Sequence, residues 1–206
     1  MKRLIGLLAT SLFAVTLASG AGATPMVFGA VLSGPQESPA NASPGTGIVF
    51  VWIFPAAHTL KVDVTFSGIL GTTTASHIHC CAVFPATTSG VATELPSFSN
   101  LPLGVTSGSF TQTFDLLMDT TYNPAFEAAN GGTALGAENA LLLGIQHHEA
   151  YLNIHTSAFP GGEIRGFLGT VFIDRAPEPA SLALLGAGLV GAYAARRRRK
   201  NPGSQL

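Results

Sequence analysis

Basic side chains are nearly absent from the middle of this chain. Of its ten lysines and arginines, only Lys61, Arg165 and Arg175 fall within residues 24–176, against ten acidic residues there, a net charge of −7. Such a segment repels a phosphate backbone, which argues against nucleic acid as a partner. A single lysine leaves little room for amine-based covalent chemistry. Enzyme signatures are missing too: there is no Gly-x-Ser-x-Gly elbow, phosphate loop, dinucleotide fingerprint or His-Glu-x-x-His. The acidic residues are scattered, with no spacing that favours a catalytic pair. No enzymatic activity is expected from this pattern. Cysteine is equally scarce, with Cys80 and Cys81 the only two.

The charges missing from the middle sit at the ends. Met1-Lys2-Arg3, an apolar stretch over residues 4–18 and the small-residue run 19–23 have the layout of a secretory signal peptide cut after Ala23. Pro25, two positions beyond the cut, argues against a continuing helix. At the other end Pro177-Glu178-Pro179 precedes an apolar stretch over residues 180–195, followed by Arg196, Arg197, Arg198, Arg199 and Lys200. As a helix that stretch spans roughly 24 Å, short of a hydrocarbon core of about 30 Å, so it suits a temporary anchor better than a permanent one. The basic block is a stop-transfer signal that keeps residues 201–206 in the cytoplasm and leaves everything upstream outside. The chain thus divides into a signal peptide (1–23), an exported domain (24–176), a sorting or anchor segment (177–200) and a cytoplasmic tail (201–206).

Residues 24–176 are long enough for one domain with a hydrophobic core. Their Gly, Thr, Ser, Val and Phe texture is that of an all-β domain with many turns. Leu60, Val62, Val64 and Phe66 alternate with Lys61, Asp63 and Thr65, the period of a half-buried strand over residues 59–66. Further strands are expected over 26–32, 48–54, 74–79, 107–116, 150–155 and 164–173. Seven short strands suit a β-sandwich or Greek-key barrel. Asn123-Pro124 supplies a helix N-cap and first turn, and Ala134, Ala137, Leu141 and Ile145 share one helical stripe, so one or two short helices are expected there. Residues 34–47 and 84–103, rich in Pro, Ser, Gly and Thr, read as exposed connections.

The candidate chemistry lies in histidines. His77 and His79 are two apart on a strand and share a face, as do Tyr151, Asn153 and His155 on a later one. If those strands are neighbours, three imidazoles converge. His77, His79 and His155, or two of them with Glu163, would suit zinc or copper. The competing reading is structural, with each ring bonded to a loop carbonyl and Arg165 and Glu163 forming a rim pair. Export puts Cys80 and Cys81 where disulfides persist. Adjacent trans Cα atoms lie about 3.8 Å apart, below the usual disulfide range, so a vicinal bridge in a turn competes with intermolecular pairing or with soft metal ligation beside His77 and His79. His147-His148-Glu149 suits a helix C-terminus. His58 reads as a turn residue, and Pro160-Gly161-Gly162 as a tight hairpin.

Two resemblances organise these features. Pro177-Glu178-Pro179, the short apolar helix and the terminal Arg cluster together resemble the PEP-CTERM sorting signal. This resemblance implies processing by exosortase machinery at the inner membrane of a bacterium that makes extracellular polysaccharide. Between the ends, Ala30-Val31-Leu32-Ser33-Gly34-Pro35-Gln36-Glu37, Ser76-His77-Ile78-His79 and Tyr151-Leu152-Asn153-Ile154-His155-Thr156, continuing through Phe159-Pro160-Gly161-Gly162-Glu163-Ile164-Arg165-Gly166, resemble the CHRD family. That family usually follows His-Ile-His with Gly-Pro, where this chain has Cys80-Cys81. The CHRD resemblance implies an immunoglobulin-like β domain without established enzymatic activity. The expectation is an exported, surface-sorted, non-enzymatic structural or adhesive module of the extracellular polysaccharide matrix, touching polysaccharide or other surface proteins and the membrane only transiently through its C-terminal helix. Two alternatives stand beside it: a zinc or copper protein or metal-dependent enzyme using His77, His79 and His155, and a carbohydrate-binding module using aromatics such as Trp52 or Tyr122.

Overall fold

Alternating residues build the long strands. In β3 (Thr59–Ser67) Leu60, Val62, Val64 and Phe66 are buried while the intervening side chains face outward. β2 (Thr46–Phe54) alternates in the same way, but its outward residues Ile48, Phe50 and Trp52 are themselves apolar, which is why the stretch reads as one continuous apolar run. The remaining strands are β1 (Met26–Ser33), β4 (Thr73–His79), β5 (Gly108–Asp115), β6 (Tyr151–Thr156), β7 (Ile164–Phe167) and β8 (Gly169–Thr170). This computed structural model describes residues 25–85 and 88–170, with Leu189 and Arg196 as isolated helical positions. The signal helix expected over residues 1–23, the Pro177-Glu178-Pro179 segment and, Leu189 apart, the apolar helix over 180–195 lie outside the described residues. Among the described residues no helix is long and apolar enough to cross a membrane.

The all-β architecture takes the form of one antiparallel sheet, ordered β4-β6-β7-β1-β2-β3-β5 with β8 beside β1, curled into a half-barrel. Its inner face carries Leu32, Val51, Val62, Ile78, Leu152 and Ile164, all buried in one cluster. Two helices lie between β5 and β6 in the chain. α1 (Pro124–Ala129) starts with the Asn123 side chain accepting from the Ala125 N–H at 3.0 Å and proline in the first turn. α2 (Ala134–Gln146) starts on Thr133, whose hydroxyl accepts from the Gly136 N–H. The stripe of Ala134, Ala137, Leu141 and Ile145 enters the same cluster as the inner face of the sheet. Helices of this length are stable in water mainly through such packing.

Three local expectations are corrected. Residues 84–103 are not simply exposed: part of the segment is a strap along the edge strand β4. Ala92 N–H donates to Ile78 C=O, Phe98 N–H to Ser76 C=O, and Ile78 N–H to Thr93 Oγ1, while Ala92, Phe98 and Leu101 are buried. An uncovered edge strand would leave those backbone groups unpaired, and the strap satisfies them. His58, expected to be a bare turn residue, follows the Pro55–Ala57 turn at φ 48°. Its Nδ1 lies 2.8 Å from the Glu138 carboxylate of α2, which is 3 % exposed, so it partners a buried acid. Tyr122 is no exposed aromatic: it is buried, and its hydroxyl donates to Leu116 C=O at 2.9 Å.

Candidate metal centre

β4 and β6 are neighbours, with His79 opposite Tyr151, His77 opposite Asn153 and Ala75 opposite His155. β7 continues the same face, Asn153 facing Arg165 and Tyr151 facing Phe167. Strand parity therefore gathers His77, His79, Tyr151, Asn153, His155, Arg165 and Phe167 on the outer face of one end of the sheet. The strap lies over this face from one side and the β6–β7 hairpin from the other.

The hydrogen bonds decide what the rings can do. His77 Nε2 lies 2.7 Å from Pro96 C=O, His79 Nδ1 2.9 Å from Ser89 C=O, and His155 Nδ1 2.8 Å from Pro160 C=O. A carbonyl only accepts, so each of these nitrogens carries the ring proton. The opposite nitrogens, His77 Nδ1, His79 Nε2 and His155 Nε2, are then bare lone pairs, and all three are buried with no hydrogen-bond partner. One ligand atom from each of the three residues lies within 4.8 Å of the others. Three nitrogens about 2 Å from one ion stand roughly 3.3–3.5 Å from each other, so the rings need to close by up to roughly 1.5 Å around an ion. A backbone carbonyl on the far side of a ligating imidazole is the usual device that fixes its tautomer and direction. Burial lowers the basicity of all three rings, taking His79 to about 4 against its opposing hydrogen bonds to Ser89 C=O and with the Asn153 side chain. They are therefore neutral at pH 7, the state that a metal requires.

Other residues considered for this site have different work. Glu163, just before β7, is fully buried and accepts from Ser43 Oγ, Thr156 Oγ1 and the Leu70 and Gly71 N–H groups. Burial raises its pKa, but those four donors together outweigh it and hold the carboxyl below its ordinary range. It is neither a fourth ligand nor the partner of Arg165. Arg165, 1 % exposed, donates from Nε to Gln36 C=O and from Nη2 to Pro85 C=O at 3.4 Å, and lies 3.8 Å from Glu37 Oε2. Its guanidinium stands 4.7 Å over the Tyr151 ring, which in turn stacks on Tyr151's other neighbour, His79, at 4.8 Å between rings. Cys80 and Cys81 are bonded to each other across a cis peptide. Cys80 follows His79 with opposite parity and joins the core, the two sulfurs lying against Gly144 of α2, so soft ligation beside the histidines is not the arrangement found. His147 caps the C-terminus of α2 and His148 follows at φ 62°; among the described residues they join no ligand cluster.

Glu37 and Asn153 escaped sequence reasoning as site residues. Both stood inside the quoted motifs, and Asn153 shares strand parity with His155. What was missing was the register that sets Asn153 between His77 and Arg165, and the loop path that returns Glu37 to the same face.

The described β domain matches the model of the CHRD domain over residues 28–168. The chain belongs to the CHRD family. The CHRD domain therefore takes in all three histidines and both sulfurs. A PEP-CTERM protein-sorting motif matches residues 175–199, directly after the CHRD domain, which makes this an exported, surface-sorted CHRD protein. Neither a curated protein nor a solved structure gives a significant match.

Proposed function

We propose that this CHRD protein is a metal-binding module of the cell surface, holding zinc or copper through His77 Nδ1, His79 Nε2 and His155 Nε2. One observation carries the reading: three buried, unprotonated ring nitrogens converge without a single donor among them. A structural histidine ordinarily satisfies both nitrogens or leaves one in water, and three orphaned acceptors at one point lack a purpose without a cation. Three imidazoles suit zinc and copper better than harder ions. Exosortase processing of the tail after export would leave the module outside the membrane, in or on the extracellular polysaccharide matrix. The test is elemental analysis of purified, untagged protein together with thermal unfolding. Near-stoichiometric zinc or copper, a melting temperature raised by added metal, and loss of both in His77→Ala and His155→Ala support it. A metal-free protein whose stability ignores both ions refutes it.

A second reading, adhesion to polysaccharide, is favoured by the outer face of β2. There Phe50 and Trp52 form a ring pair at 5.8 Å, and Lys61 Nζ sits 4.7 Å over Trp52. Ile48 and Val31 extend the exposed stripe. Aromatic faces beside polar groups are suited to sugar rings. Co-sedimentation with the producing cell's own polysaccharide should be lost in Trp52→Ala while metal content stays unchanged; equal sedimentation of the variant would sink this reading.

A further inference from the structure

Each of the three histidine rings is a rigid link with two working ends. One nitrogen faces the shared point, and the other donates to a carbonyl that belongs to a loop rather than to the sheet. Ser89 and Pro96 lie on the strap and Pro160 on the β6–β7 hairpin, so the rings connect two separate loops to one place. Both loops are open to water where the rings hold them. Leu95, 53 % exposed, and Pro96 form the apex of the strap, and Pro160 and Gly161 the tip of the hairpin. On either side of its apex the strap is bonded to β4, through Ala92 N–H on Ile78 C=O and Phe98 N–H on Ser76 C=O. The apex itself reaches the sheet through Pro96 C=O and the His77 ring. Ser89 is held in a second way, its N–H donating to the Tyr151 hydroxyl at 3.3 Å.

An ion changes both ends of each link. The ring nitrogens have to draw together by up to roughly 1.5 Å around it. Carbonyls left behind by such a movement would see bonds of 2.7, 2.8 and 2.9 Å stretched past about 3.5 Å, where a hydrogen bond is lost. The loops therefore have to follow the rings inward. A cation on one nitrogen also turns the opposite N–H into a charge-assisted donor, roughly twice as strong as a neutral one. We infer that a bound ion is the clasp that fastens the strap and the β6–β7 hairpin to the sheet, so that metal loading switches both loops from a loosely to a tightly held state. This rests on the histidine reading above and names what that site regulates. Without the ion, each tie is an ordinary bond between a neutral ring and a loop carbonyl. With it, three strengthened ties converge on a single point and hold two surfaces at once.

The experiment is hydrogen–deuterium exchange read by mass spectrometry at labelling times of seconds to minutes. It compares the metal-free protein with the same protein given zinc or, in a parallel series, copper(II), with bound metal measured alongside. Peptides covering residues 89–98 and 157–163 should exchange about fivefold more slowly with the ion that is taken up, the change expected when a neutral bond becomes charge-assisted. The exposed turn joining α1 to α2, residues 130–133, should not respond. In His155→Ala, which leaves the strap and its two histidines in place, added metal should slow neither loop. Wild type that takes up an ion while both loops exchange as before overturns the inference and leaves the histidine site standing. So does slowing of residues 130–133 equal to that of the loops, or a strap slowed in His155→Ala as much as in wild type. A wild type that takes up neither ion overturns the histidine reading, and this inference with it.

Discussion

His79 is the most deeply perturbed of the three imidazoles, and the perturbation has a sign that can be measured. Its pKa lies at about 4 in the fold and 6.5 in the reference state. Between those values the unfolded chain binds the extra proton, so the metal-free protein loses stability as pH falls from about 6.5 toward 4, on the order of 3 kcal/mol for this ring alone. His77 and His155, also lowered, add to the same slope. Glu37 acts oppositely, because a pKa raised from 4.5 to about 7 contributes stability that is whole below 4.5 and fades as pH rises through 7. The shifts of His79 and Glu37 are about equal and opposite, so they offset each other below pH 6.5. With the acid removed in Glu37→Gln, the melting temperature of the metal-free protein should drop as pH falls below 6.5, and less so when His79→Gln is added. A flat profile of metal-free Glu37→Gln from pH 7 to 4.5 would contradict the burial of these rings. At this scale the sequence was half legible. The shared parity of His77 with His79 and of Asn153 with His155 follows from a period of two, but the donors that engage Glu163 come from residues 43, 70, 71 and 156. No spacing along the chain announces such a convergence.

Among the elements, strands and helices were the easiest to read, because each carries its own period or cap. The stripe of α2 and the Asn123-Pro124 start of α1 are local signals, and both are found in the structure. The strap over β4 was not, since its composition is that of any loop and its bonds go to backbone rather than to matching side chains. α2 also supports the turn after β4: a Cβ at Gly144 would collide with Cys80 Sγ and lie 2.6 Å from Cys81 Sγ. Such distances cannot stand, and overpacking of this kind costs about 1–3 kcal/mol. Gly144→Ala should lower the melting temperature of the oxidised protein by several degrees. An unchanged melting temperature would mean that helix and turn are not in contact as described.

Seen whole, the chain is an acidic, lysine-poor domain between two segments that hold seven of its ten basic residues. Averaged over the full length the charge is −1, which hides the −7 of residues 24–176. The three-part sorting pattern was plain in sequence because its parts are contiguous. Removing residues 177–206 should shift the protein from the cell surface to the surrounding medium without altering the metal content of the domain. Unchanged surface retention after that deletion would detach sorting from the tail. The half-barrel and the histidine cluster, by contrast, depend on which strand meets which, and the order β4-β6-β7-β1 is not written in any one segment.

The histidines stand on the outer face of the sheet, whereas the helices and the large apolar cluster occupy the inner one. Assembly of the core does not have to wait for an ion. On the proposed metal-binding reading, such a protein would fold empty and be loaded later, so that the water around the cell, rather than the metal stores within it, would choose what the site carries.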